Sequence, residues 1–127
     1  MDKKQAWLQL VREKSEHYLN LHDGGFDEKM QARLVDCDYE AQTVTYAFPT
    51  QTWQINEKGG IHGGAIAGMF DTAFGVVANF TAGDNEATTT DMTVSFLRGV
   101  DLGMELHLKV FIVKAGRSLI RQRAELT

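Results

Sequence analysis

Residues 59–83 read GGIHGGAIAGMFDTAFGVVANFTAG, and across that span Asp71 is the one formal charge. From Gly64 onward, Ile66, Met69, Phe70, Ala73, Phe74 and Val77 recur at i, i+3, i+4, i+7, i+8 and i+11, an apolar face that predicts a long buried helix. A second stripe, Gly64, Ala67, Gly68, Asp71, Gly75 and Ala78, is small at every position except the aspartate. Larger side chains pack a helix better, so this stripe points to a place where another molecule approaches the carboxylate.

Working outward toward the N-terminus, TQTWQINEKGG at 50–60 reads as a loop, and Gly59, Gly60, Gly63 and Gly64 give the chain freedom where the helix begins. Before it, Val44, Tyr46 and Phe48 alternate with Thr43, Thr45 and Ala47, and Met30, Ala32 and Leu34 alternate with Gln31 and Arg33. Joined by the turn-rich DCDYE, these two runs predict a hairpin closed by Pro49, which cannot donate to a ladder. At the start of the chain, Asp2 is placed to cap an amphipathic helix with Trp7, Leu10, Val11, Tyr18 and Leu21 as its apolar stripe, ended by Gly24 and Gly25.

On the other side of the buried helix, period two returns after Gly83 and Asp84. Thr90, Met92, Val94 and Phe96 share one face, Met104 to Ile112 alternate next, and Ile120, Ala124 and Leu126 alternate last. The expected class is α+β: a mostly antiparallel sheet of five or more strands wrapped around one long buried helix, with an N-terminal helix outside. No linker or repeat divides residues 1–127, which read as a single domain.

Composition narrows the function. With 43% hydrophobic and 24% charged residues the chain is globular, and a net charge of −4 gives no reason to expect nucleic acid as a partner. Asp71 and the glycines interrupt the most apolar run, so no membrane partner is expected, and the charged start MDKKQAWLQLVREKSE lacks a signal sequence. A cytoplasmic location follows, in agreement with the single Cys37. That thiol lies between Asp36 and Asp38, which disfavour its thiolate, and reads as structural. His17, His22, His62 and His107 lack metal-ligand spacing, so neither metal nor redox cofactor is expected.

Chemistry gathers near the helix start. Gly63 and Gly64 are read as free backbone N–H donors at the positive helix end, suited to a carbonyl oxygen that becomes negative. Asn56 offers a side-chain amide, and Asp71, read as partly buried two turns inside the helix, can serve as base or nucleophile. An oxyanion donor and a carboxylate together suit acyl transfer to water. His62 at the helix start reads as fixing the loop rather than as the base.

The pattern N-x5-HGG-x6-D, running from Asn56 through His62, Gly63 and Gly64 to Asp71 and followed by TTTDMTVSFLRG, resembles the hot-dog-fold acyl-CoA thioesterases of the phenylacetate-degradation type, in the hydroxybenzoyl-CoA thioesterase superfamily. The resemblance extends from the first helix to Arg123. It implies that Gly63 donates to the thioester carbonyl, that Asn56 helps hold that carbonyl or the water, and that Asp71 activates the water or attacks the carbonyl itself. It further implies that Thr89 orients the water; His62 and Gly64, at the helix start, are counted with the substrate-binding residues. Arg98, Lys114, Gly116 and Arg117 stand where relatives meet the phosphates of coenzyme A, which enters as part of the substrate. A homo-oligomer, dimer or dimer of dimers (a homotetramer), is implied, with Asn56 and Gly63 from one subunit and Asp71 from the other. Relatives continue beyond RQRAEL into a further strand, which the sequence to Thr127 does not show. The rival reading is a non-catalytic acyl-CoA-binding or sensing module using the same pocket.

Overall fold

The structure, a computed structural model, describes residues 1–83 and 86–127. Asp84, after which the sequence returns to period two, lies outside the described residues. Helix α1 (Lys3–Leu19) starts as expected, with the Asp2 carboxylate accepting the Gln5 N–H at 2.8 Å. It ends before the glycine pair, because the Asn20 side chain donates back to the Glu16 carbonyl and closes the last turn. Its inner face is Val11, Ser15 and Leu19, while Leu21 stays exposed. Ser15 is on that face because its hydroxyl meets the Tyr46 hydroxyl at 2.7 Å inside the core. Burial pushes the Tyr46 phenol well above its ordinary pKa, with the Ser15 bond acting in the opposite sense.

The glycines instead introduce a short helix, α2 (Phe26–Met30), which the period-two reading of this stretch did not anticipate. Met30 ends that helix rather than opening a strand, and it is fully buried. Gln31, at φ 53°, turns the chain out of α2 and into β1 (Arg33–Asp38). Strand β1 pairs antiparallel with β2 (Thr43–Pro49) in the expected hairpin, and Pro49 ends β2.

A single 3-10 turn (Thr52–Gln54) leads to α3 (Gly63–Thr81), then β3 (Glu105–Ala115) and β4 (Ile120–Leu126). The sheet runs in the order β1-β2-β3-β4, antiparallel throughout. Val44, Tyr46 and Phe48 of β2 and Leu106, Leu108 and Val110 of β3 are buried with Ile66, Met69, Ala73, Val76, Val77 and Phe80 of α3. Each Val, Leu, Ile, Phe or Met among them taken from water contributes about 1.5–3 kcal/mol before entropy is subtracted. Phe70 and Phe74 flank this buried face half-exposed, their rings 6.0 Å apart. The α+β class therefore stands, with the sheet on one side of α3 and α1 packed beside it.

The strand count does not stand: the described residues hold four strands, not five or more. The missing one is the alternating run around Thr90 to Phe96, where residues 86–100 form no strand. Alternation specifies which side chains face inward, whereas a strand also needs a neighbouring edge at about 4.8 Å. This segment lies alongside α3 instead, held at Thr89 by Asp71 and at Phe96 by Gly63.

Candidate active site

The loop before α3 is a small folded unit. Asn56 N–H donates to the Gly60 carbonyl at 2.7 Å, Ile55 and Ile61 form a bridge, and Ile61 N–H reaches the Val100 carbonyl at 2.8 Å. The Asn56 side-chain oxygen accepts the N–H groups of Lys58 and Gly60, at 2.9 and 3.2 Å, so half of this amide builds the turn. Its NH2 has no acceptor among the described residues and remains available to a carbonyl.

His62 is the N-cap of α3: its Nδ1 accepts the Gly64 N–H at 2.8 Å. This corrects the expectation for Gly64, whose N–H is engaged and not free. The Gly63 N–H, by contrast, has no acceptor among the described residues and stands at the positive end of a 19-residue helix. The Phe96 ring covers this glycine, 3.5 Å from where a Cβ would sit.

Asp71 is exposed in the single chain rather than partly buried, and it accepts a hydrogen bond from the Thr89 hydroxyl at 2.8 Å. The structure thus joins the acid to the threonine named with it from sequence, across 18 residues. Gly63 and Asp71 lie eight residues apart on one helix, about 12 Å along its axis at 1.5 Å per residue. One chain alone does not bring its own Gly63 and Asp71 to one carbonyl.

The small-residue stripe proves to have several uses. At Gly68 a Cβ would collide with the Phe26 ring and lie 2.9 Å from Met30 Cε, so α2 fills that notch. Thr72 fixes α2 there, its hydroxyl donating to Asp27 at 2.7 Å. At Gly75 the space is open. The contacts of Phe26, Asp27 and Phe96 with α3 escaped the sequence reading because they are non-local and follow no period.

The basic set lies apart from these groups. Arg98, Lys114 and Arg117 are exposed, and among the described residues no hydrogen bond or ion pair joins them to Asn56, Gly63, Asp71 or Thr89. Gly116 serves its turn: its N–H donates to the Leu119 carbonyl at 2.8 Å, and a Cβ would sit 2.9 Å from that oxygen. The Cys37 thiol is pushed up by burial first, with Asp36 and Asp38 adding to the effect and Arg12 opposing it. Among the described residues, no three His, Cys, Asp or Glu side chains are grouped to hold a metal ion, and no helix is long and apolar enough to cross a membrane.

Comparison with known proteins follows the same outline. The sequence model of the Thioesterase superfamily matches residues 58–127, the span from the loop before α3 to the end of β4. No curated protein sequence matches the chain. Among solved structures, mouse thioesterase superfamily member 2 superimposes with a TM-score of 0.74 at 20% identity, over 100% of this chain and 86% of the other. A phenylacetic acid degradation-related protein from Ralstonia eutropha JMP134 gives 0.78 at 20% identity, over 90% of this chain and 87% of the other. A Streptococcus mutans protein bound to acetyl-CoA gives 0.67 at 23% identity, over 76% and 74%. At these identities the likeness establishes the shared fold.

Proposed function

We propose that this chain, which belongs to the Thioesterase superfamily, is a hot-dog thioester hydrolase of the phenylacetate-degradation type that hydrolyses acyl-CoA thioesters to free acid and coenzyme A. The observation that carries this reading is the exposed Asp71 carboxylate, which accepts the Thr89 hydroxyl and sits on the helix whose first N–H, at Gly63, has no acceptor among the described residues. The acetyl-CoA bound to the Streptococcus mutans neighbour supports the substrate class.

In this reading two copies assemble so that Asn56 and Gly63 of one face Asp71 and Thr89 of the other, which removes the 12 Å separation within a chain (about eight helical rises). Water positioned by Thr89 gives a proton to the Asp71 carboxylate while its oxygen attacks the thioester carbon. The carbonyl oxygen takes up the negative charge against the Gly63 N–H, the helix end and the Asn56 amide. Collapse of the tetrahedral adduct breaks the C–S bond, and the leaving thiolate takes the proton from Asp71. Direct attack by Asp71 gives the same products through a mixed anhydride opened by water. His62 and Gly64 hold the loop that aims Gly63. Arg98, Lys114 and Arg117, with Gly116 shaping their turn, are assigned to the phosphates of coenzyme A. No metal or redox cofactor takes part, the assembly is a dimer or dimer of dimers, and the location is cytoplasmic.

Thiol release from acyl-CoAs by the protein and by Asp71→Asn tests the mechanism. Loss of one oxyanion donor costs about a hundred- to a thousandfold in turnover, and loss of the acid is expected to cost at least as much. Turnover unchanged in Asp71→Asn overturns the assignment, and saturable binding without any hydrolysis by the intact protein favours the acyl-CoA-binding module.

A further inference from the structure

A concavity of about 960 Å³ opens between the end of α1, α2 and the 3-10 turn. Leu19 and Ala32 contribute to its lining, with Phe26 on the α2 side and Trp53 on the 3-10 turn. Those two rings are 52% and 51% exposed. Single exposed apolar residues are ordinary, but two aromatic rings on one groove of ligand size offer an apolar contact surface, here within a lining that also includes polar residues such as Glu28, Lys29 and Gln51.

Both walls are tied to the elements that carry the hydrolytic groups. The Phe26 ring rests in the Gly68 notch, three residues before Asp71, so its attachment to α3 is about 4.5 Å along the axis from the acid. The Asp27–Thr72 bond holds the same short helix on the residue that follows Asp71. On the other wall, the Gln54 carbonyl accepts the His62 N–H at 2.7 Å, which fixes the turn bearing Trp53 to the start of α3. Gln51 Nε2 donates to the Lys29 carbonyl at 2.6 Å and joins the two walls. The groove is therefore a built feature: its α2 wall meets α3 beside Asp71, the half of a site that this copy supplies there, and its other wall meets the start of the same helix.

We propose that this groove is the acyl subsite, that Phe26 and Trp53 set acyl-group preference, and that it takes a bulky apolar acyl chain in preference to acetyl. The inference rests on the acyl-CoA reading given above. A chain of medium length covers both rings and removes apolar surface from water at about 25 cal/mol per Å². An acetyl group presents a single methyl and cannot cover both rings, so its binding owes little to them.

Trp53 supplies its own readout. In a Trp7→Phe background it is the only indole left in the chain. Octanoyl-CoA is expected to shift its emission saturably, whereas acetyl-CoA and free coenzyme A leave it unchanged. Phe26→Ala and, separately, Trp53→Ala are expected to lower kcat/KM for octanoyl-CoA about tenfold, the effect of 1.4 kcal/mol, with acetyl-CoA altered less than about twofold. Trp53→Ala guards against misfolding at Phe26, since its ring lies half outside the core. Equal losses for both substrates, or none, in a Trp53→Ala protein that melts normally overturn the subsite. If the intact protein hydrolyses no thioester, the acyl-CoA hydrolase reading fails by itself. The Trp53 emission then decides the groove: a saturable octanoyl-CoA response upholds it, and no response overturns it.

Discussion

Strand β2 and the segment around Thr89 to Phe96 carry the same signal, apolar and polar residues in alternation, and they end in different structures. Strand β2 lies between β1 and β3 with its ladders filled on both sides, and Val44, Tyr46 and Phe48 are fully buried. The later segment pairs with no strand among the described residues, and Met92, Phe96 and Leu97 are exposed. One hydroxyl on Asp71 and one ring over Gly63 tether it to α3. The same pattern therefore builds core where it pairs on two edges, and lines a candidate active site where it pairs with none of the described strands.

The sharpest way to break this contrast is to truncate one phenylalanine in each. Phe48→Ala is expected to destabilise the fold by about 3–5 kcal/mol, because a fully buried ring leaves a cavity. Phe96→Ala is expected to cost less than about 1 kcal/mol, in keeping with losses at half-exposed positions. Urea unfolding of the two variants checks this, and equal losses would mean that residues 86–100 belong to the core after all. A smaller effect sharpens the functional side. Thr89→Val removes a hydrogen bond to a charged group, about 1.5 kcal/mol, so kcat falls about tenfold while the melting temperature stays put. A drop in melting temperature with unchanged kcat would instead make Thr89 a mere tether.

The smallest expected effect concerns the solvent side of β2. Arg33 and Glu105 make a bidentate pair, at 3.1 and 2.8 Å, between the strands on either side of β2. The Arg33 hydrogen bonds first, and His107 second, hold the Glu105 carboxyl down to about 2. A carboxylate depressed by folding stabilises the native state above its unfolded pKa, and that stability is lost as pH falls through the folded one. Melting curves of the protein and of Glu105→Gln should therefore differ above about pH 5 and converge toward pH 2, an exposed pair giving a small and salt-sensitive gap. A gap that persists unchanged at pH 2 would show that the pair is not its source.

Local pattern was enough for much of this protein. The run from Gly63 to Thr81 declares a buried helix by its period, Asp2 declares a cap, and Pro49 declares a strand end, because each depends on neighbours a few residues away. Asn56, Gly63 and Asp71 were likewise visible as chemistry at fixed spacing. Which N–H lacks an acceptor among the described residues was not: at the start of α3 the His62 ring caps the chain and takes the Gly64 donor, leaving Gly63, because a cap side chain reaches the second or third N–H and not the first. Nor did the sequence show α2 seated at Gly68, Thr89 on Asp71, or the groove between Phe26 and Trp53. Those contacts join segments far apart in the chain, and a side chain's distant neighbours, like a strand's partner edge, are set by packing and not by periodicity.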